Sequence, residues 1–451
     1  MTSVSVIGLG KLGACIAACC AEKNLSVVGA DVSERTVDLI NSGKPPIYEP
    51  GLAELIDKTR ANLSATTDVR NAVAMTDVTL IVVPTPSEEH GGFSLEAVAA
   101  CGREIGQALR DKPGYHLVVL TSTVLPGSTE FGLLPILERE SGKTCGEDFG
   151  LCYSPEFIAL GTVIRDFKNP DFILIGESDP EAGDQLERFY RLVCDNEAPV
   201  ARMSWTNAEL TKIAVNTYVT MKISFANLLA AMCEELPGGD VDAVTAALGL
   251  DSRIGPRYLK GGLGYGGPCF PRDNRALSYF AQLLGQPALL AEATDAYNQT
   301  IVDRLAKLVA RHLPSGGSVA ILGLTYKPGS DVVEEAQGLM LAERLVSDGH
   351  RVTVFDPLAK EQARSVLGGR ATYATSAQAA IADADLVVIA NPDPAFSDID
   401  VNDIGGRQQK LVLDIWRLHR KDADKDVRYL GVGLGERSDR VVRPLAKLWN
   451  R

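Results

Sequence analysis

No uninterrupted apolar run approaches the roughly 18 residues that a membrane-crossing helix needs, and no basic segment precedes the apolar stretch near Met1. Neither membrane insertion nor export is therefore expected. Positive charge is in deficit: 45 Lys and Arg stand against 58 Asp and Glu, a formal charge of −13. Broad binding to nucleic acid or to an anionic membrane needs a basic footprint that this balance does not supply. A local basic pocket for a phosphorylated small molecule is still allowed. The nine cysteines are odd in number, include no CxxC pair and form no Cys/His array at zinc spacing. No disulfide framework and no metal site are expected, and a reducing cytoplasm is the expected location. Low-complexity tracts and short repeats are also missing, and 45% apolar with 23% charged residues is ordinary globular composition.

A length of 451 residues suggests about three domains. Val4-Ser-Val-Ile begins a β-branched run that breaks at a glycine turn and continues as a helix of small residues. Further β-branched runs begin at Leu25, Val78, Leu117 and Phe172, separated by helical patterns, so residues 1–203 read as alternating β and α with a parallel sheet. A long helix follows Ser204 and Thr206 and stops at Pro237-Gly-Gly, and helices dominate to about His312. Pro314-Ser-Gly-Gly reads as a linker, after which the strand, glycine, helix grammar restarts at Val319 and distantly echoes the first. The expected fold is α/β: two Rossmann-like doubly wound domains, 1–203 and 314–451, joined by a central helical domain, 204–313, with one long helix.

Gly8, Gly10 and Gly13 in Gly8-Leu-Gly-Lys11-Leu12-Gly13 form GxGxxG between a strand and a helix, and Asp31 closes the next strand. The first glycine permits the tight turn, the second lets the backbone approach a pyrophosphate, and the third allows close helix packing. A carboxylate at the end of the second strand accepts ribose hydroxyls and repels a 2′-phosphate, so NAD is the expected cofactor. Cys15, Cys19 and Cys20 lie on that helix at packing spacing and read as small buried hydrophobes.

Cys269 stands apart from the other cysteines. Its loop, Gly261-Gly-Leu-Gly-Tyr-Gly-Gly-Pro-Cys-Phe-Pro-Arg-Asp273, carries five glycines and two prolines, which suits close approach to a ligand, and Asp273 follows four residues later. A thiolate held there is a plausible covalent nucleophile. Lys212 and Asn216 are spaced i, i+4 on the long helix among apolar residues, which suits a buried polar pair. Glu156 in Tyr-Ser-Pro-Glu-Phe and Thr123 in Thr-Ser-Thr-Val are further candidates.

The segments IGLGKLG, NSGKPPIYEPGL, VVPTP, TSTVLPG, SPEF, ELTKIAVN, GLGYGGPCFPRD and LGLTYKPGSD, with Asp31, together resemble the UDP-glucose/GDP-mannose dehydrogenase family over nearly the whole chain in order. The resemblance implies an N-terminal NAD domain, a central domain that dimerises through its long helix, and a C-terminal domain for the sugar nucleotide. It further implies oxidation of a primary alcohol at C6 of the sugar to a carboxylate with two NAD and one water. By position, Cys269 matches the nucleophile that forms a thiohemiacetal and then a thioester. Lys212, aided by Asn216, matches the stabiliser of oxyanion charge; Asp273 and Thr123 match a proton relay; Glu156 matches the base for thioester hydrolysis. For the cofactor the resemblance implies Gly8 to Gly13, Asp31, Arg35, Pro84, Thr85, Pro86, Ser122, Thr123 and Leu160. For the sugar nucleotide it implies Glu156, Phe157, Ile158 and Leu160, Lys212 and Asn216, Tyr258, Lys260 and the Gly261–Gly266 backbone with Tyr265 and Gly266, then Tyr326 and Lys327. Arg253 matches an arginine that reaches a neighbouring subunit's sugar.

Four positions depart from the family pattern. Leu160 stands where many members carry a second glutamate, and Thr36, preceded by Arg35, stands where a basic residue is usual. Gly329-Ser-Asp-Val-Val-Glu-Glu335 lacks the usual arginine, and Asp414-Ile-Trp-Arg417 replaces aspartate-glycine-arginine. UDP-glucose is the expected substrate, with TDP-glucose, GDP-mannose and a UDP-N-acetylhexosamine as alternatives. A two-electron dehydrogenase of the hydroxyacid kind needs no cysteine, and a non-catalytic nucleotide-binding regulator forms no NADH; both are rival readings. Assembly beyond a dimer is left open.

Overall fold

The structure, a computed structural model, describes residues 3–401, 410–420 and 427–435; the end of the expected third domain lies outside these. The chain divides into two compact units between Val215 and Asn216.

The first unit is built on an eight-stranded sheet: β1 (Ser3–Ile7), β2 (Ser26–Ala30), β3 (Leu63–Thr66), β4 (Val78–Ile81), β5 (His116–Leu120), β6 (Phe149–Tyr153), β7 (Ile173–Glu177) and β8 (Val200–Met203), in the order β3-β2-β1-β4-β5-β6-β7-β8. The inner strands β4 and β5 are buried throughout, which explains their continuous runs of Val, Ile and Leu. The expectation of a parallel sheet needs one correction, because β7 pairs antiparallel to β6, Cys152 opposite Glu177. Strand order reverses between β1 and β4, so the segments leaving those strands flank a crevice at their carboxyl ends, where open α/β sheets bind ligands. The small-residue helix Gly13–Glu22 is buried along its length, with Cys15, Cys19 and Cys20 inside the core, as packing residues should be.

The second unit holds a six-stranded, all-parallel sheet of β9 (Ser318–Leu322), β10 (Arg351–Phe355), β11 (Thr372–Tyr373), β12 (Leu386–Ile389), β13 (Lys410–Asp414) and β14 (Val427–Gly431), ordered β11-β10-β9-β12-β13-β14. It repeats the first unit's device in detail. Gly323 turns at φ +98° as Gly8 does at +94°, and Asp356 accepts from the Leu324 N–H at 2.8 Å as Asp31 accepts from Leu9 at 2.7 Å. The long helix spans Trp205–Glu235, starting just after Ser204, and Val241–Gly249, Phe270–Leu283 and Leu289–His312 follow. No helix among the described residues is long and apolar enough to cross a membrane.

Candidate active site

At the carboxyl end of β1 each glycine has a distinct constraint. A Cβ on Gly8, already at positive φ, would come within 2.6 Å of the Val82 carbonyl, and one on Gly13 would collide with the Gly8 carbonyl. A Cβ on Gly10 would meet nothing within 4 Å. Protein atoms therefore dictate glycine at 8 and 13 but not at 10, where the bare backbone faces open space of the kind a pyrophosphate requires. Lys11 and Leu12 complete the turn, Leu12 packing against the core. Asp31 accepts the Leu9 N–H through one oxygen and the Ser33 N–H, at 2.9 Å, through the other. Each oxygen keeps a lone pair for a ribose hydroxyl. Arg35 is exposed on the first turn of the helix Glu34–Asn41.

The segments after β4 and β5 are tied together. Thr85 donates to the Thr123 carbonyl at 2.7 Å, and Ser122 donates to the Val83 carbonyl at 2.6 Å, which brings Pro84, Thr85 and Pro86 beside Ser122 and Thr123. These residues and the glycine turn fit NAD, which Gly8 to Gly13, Asp31 and these two segments would hold.

Beyond β6, Glu156 receives a hydrogen bond from Tyr190 at 3.2 Å, and Tyr190 in turn pairs with Ser154 at 2.8 Å. Burial outweighs that bond and the nearby Lys212, pushing the Glu156 carboxyl up to about 7. Lys212, 7% exposed, donates to the Glu156 backbone carbonyl at 2.6 Å and lies 4.5 Å from the centre of the Phe157 ring. Ile158 and Leu160 pack with Leu12 against the core of this unit, so the apolar residue that replaces the family's glutamate finds an apolar setting.

In the second unit Cys269 occupies the N-cap of the helix Phe270–Leu283, and its carbonyl accepts the Asp273 N–H at 2.8 Å. A thiol there lies at the positive end of the helix dipole. It is also the exposed cysteine of the nine; burial pushes Cys101 and Cys145 to about 11 and Cys19 to about 12. Asp273 is fully buried, accepting from Asn216 at 2.6 Å and from Arg272 at 3.0 Å. Lys212 and Asn216 are both buried, as their spacing suggested, but each serves a different partner. Tyr265 donates to Asp295 at 3.0 Å and accepts from Asn274 at 2.8 Å. Tyr326 lies against Gly267, where a Cβ would come within 2.6 Å of its ring, and Lys327 stands 5.9 Å from that ring. Gly261 and Gly266 are buried, Lys260 is exposed, and Tyr258 is exposed at φ +63°. Arg253 is exposed and pairs with Asp251 at 2.6 Å.

Three supporting carboxylate and phenol groups escaped the sequence reading. Glu209, fully buried, accepts from the N–H groups of Gly127 and Thr129 at 2.6 and 2.8 Å, holding the segment that follows Thr123. Its signal was an acid one turn before Lys212 on the long helix. Glu49, in the Tyr-Glu-Pro-Gly-Leu run, accepts from Gly161 and Val163, both at 2.8 Å, and so fixes the segment just past Leu160. Tyr190 had no local signal. Among the described residues no cluster suited to a metal ion occurs.

Three models of one family match in order: its NAD binding domain over residues 2–194, its central domain over 206–300 and its UDP binding domain over 320–421. The chain belongs to the UDP-glucose/GDP-mannose dehydrogenase family. A UDP-glucose 6-dehydrogenase of Haloferax volcanii is 36% identical over 91% of this chain and 96% of its own length. A GDP-mannose 6-dehydrogenase of Pseudomonas putida is 34% identical over 95% of this chain and 99% of its own. The solved structure of a UDP-glucose dehydrogenase from Pyrobaculum islandicum superposes with a TM-score of 0.87 at 37% identity, covering 96% of this chain and 98% of that one. Membership in this family makes NAD the cofactor of the first unit.

The open space at Gly10 yields a direct test. Gly10→Ala should weaken NAD binding at least about tenfold in calorimetry while shifting the ligand-free melting midpoint by less than about 2 °C. Unchanged NAD affinity would show that the cofactor does not approach this backbone.

Proposed function

We propose that the protein is a four-electron nucleotide-sugar 6-dehydrogenase that converts UDP-glucose to UDP-glucuronate. The observation that carries the reading is the exposed Cys269 at a helix N-terminus, while the other thiols are buried or half-buried. Bound NAD supplies the hydride acceptor for both oxidations. Once the C6 alcohol has become an aldehyde, the Cys269 sulfur adds to C6 and the new C–S bond gives a thiohemiacetal. Loss of hydride from that carbon leaves a thioester, which water cleaves, returning the thiolate and releasing the carboxylate. The balance is one alcohol, two NAD and one water giving one carboxylate, two NADH and three protons.

The remaining residues supply charge and protons. We assign Lys212, held by the Glu156 carbonyl, to the stabilisation of developing oxyanion charge. Asn216 fixes Asp273, which with Thr123 we assign to proton relay. Glu156, titrating near neutrality, suits the base that activates water for thioester hydrolysis. We assign residues 1–203 to NAD, 204–313 to dimerisation and 314–451, with Tyr326 and Lys327, to the sugar nucleotide. The UDP-glucose enzymes named above, at 36% and 37% identity, support UDP-glucose. GDP-mannose is the second reading. A homodimer is supported by the exposed apolar stripe Tyr218, Phe225, Leu228 and Met232 along the long helix, and Arg253 would reach the other subunit's sugar. We place the enzyme in the cytoplasm, where Cys269 stays a thiol.

A panel of UDP-, GDP- and TDP-sugars followed at the NADH absorbance should give two NADH per sugar consumed, best with UDP-glucose, and Cys269→Ala should form no acid. One NADH per sugar would support a two-electron enzyme instead, and undiminished acid formation by that variant would remove Cys269 from the mechanism. Where hydrolysis limits turnover, kcat should rise with pH through about 7. Tyr190→Phe removes a donor that favours the carboxylate, so that limb should move to higher pH. A limb that stays in place would remove Glu156 from the role of base.

A further inference from the structure

The glycine-rich loop that precedes Cys269 is held by side-chain amides. Asn227, fully buried on the long helix, accepts the Gly262 N–H at 2.7 Å and donates to the Leu263 carbonyl at 3.0 Å. Asn298, on the helix Leu289–His312, accepts the Tyr265 N–H and donates to the Tyr265 carbonyl, both at 2.9 Å. Gln337, the first residue of the helix Gln337–Ser347, accepts the Gly264 N–H at 2.7 Å and turns its amide nitrogen to the Asn298 carbonyl at 3.2 Å and side-chain oxygen at 3.3 Å. Arg417 adds a fourth strut, donating to the Gly261 carbonyl at 2.9 Å while Asp242 holds its guanidinium at 2.7 and 2.8 Å. All three amide residues are less than a tenth exposed.

An amide that accepts from one backbone N–H and donates to a nearby carbonyl does what a neighbouring strand would do. A glycine-rich segment has the greatest backbone freedom to lose, and its polar groups must be paired once buried. Gly264 has no room for a side chain, because a Cβ there would collide with the amides of both Asn298 and Gln337. Bare backbone and amides therefore specify each other.

We propose that Asn227, Asn298 and Gln337 are positioning residues for the sugar nucleotide: they hold the Gly262–Tyr265 backbone in one conformation, and that conformation sets the affinity for the ligand. This rests on the reading of the Gly261–Gly266 loop as the substrate loop. The amides do not touch the reacting atoms; they act through the loop. A role in packing alone would lower the amount of folded enzyme and its kcat while leaving KM unchanged.

The test uses the full chain with UDP-glucose as the varied ligand, by turnover at saturating NAD and by calorimetry without NAD. Asn298→Ala, Gln337→Ala and Gly264→Ala should each raise KM and Kd for UDP-glucose about 10- to 100-fold, with KM for NAD unchanged. The double variant Asn298→Ala/Gln337→Ala should rise little beyond the larger single effect, since both amides act on one loop. Gln337→Met, nearly the same shape, removes only the hydrogen bonds and should give the same rise even if the alanine variants fold poorly. Unchanged UDP-glucose affinity in Gln337→Met, or equal losses for UDP-glucose and NAD, would overturn the proposal. Wild-type protein that binds neither UDP-glucose nor GDP-mannose would instead sink the substrate reading itself.

Discussion

A polar side chain placed in a protein interior must find a partner there, and the long helix Trp205–Glu235 imposes that requirement repeatedly. Glu209 and Lys212 are buried on the part of it that belongs to the first unit, and Asn216, Thr220 and Asn227 on the part that belongs to the second. Each meets a different segment: Glu209 the turn after Thr123, Lys212 the carbonyl of Glu156, Asn216 the carboxylate of Asp273, Thr220 the side chain of Asn274, and Asn227 the glycine loop. Leaving any one of these groups unpaired costs on the order of 1–3 kcal/mol. The loops are thereby fixed by the same burial that fixes the helix.

The two sheets show how one turn can serve two purposes. In both, an aspartate at the end of the second strand accepts the N–H of the residue after the first glycine. Asp31 has its remaining capacity available to a ribose. Asp356 spends its capacity inside the protein, accepting also from the N–H groups of Thr325, Leu358 and Ala359. The second turn is therefore built chiefly to hold itself, which accords with a domain whose ligand is a sugar nucleotide rather than a second dinucleotide.

The alternation of strands and helices, the glycine turn with Asp31 and the singular setting of Cys269 were legible in the sequence, because each is written in residues close together along the chain. The antiparallel pairing of β7 was not, since an α/β pattern carries no sign of strand direction. Nor were Glu49 and Tyr190, whose partners lie far away in sequence: Glu49 reaches Gly161 and Val163, and Tyr190 reaches Glu156. Lys212 and Asn216 looked like a pair on one helix face, and only folding reveals that they serve separate carboxyl-bearing segments. Arg417, out of register with the family's arginine, is buried against Gly261 and Asp242.

On the proposed mechanism the sugar's C6 becomes covalently attached to Cys269 during turnover. Acid quench of the wild-type enzyme in the steady state with NAD and UDP-glucose, followed by peptide mass analysis, tests it most directly. A uronyl thioester is expected on the peptide that contains Cys269 and on no other cysteine. An unmodified Cys269 peptide, recovered while acid and NADH accumulate in a ratio of one to two, would contradict it.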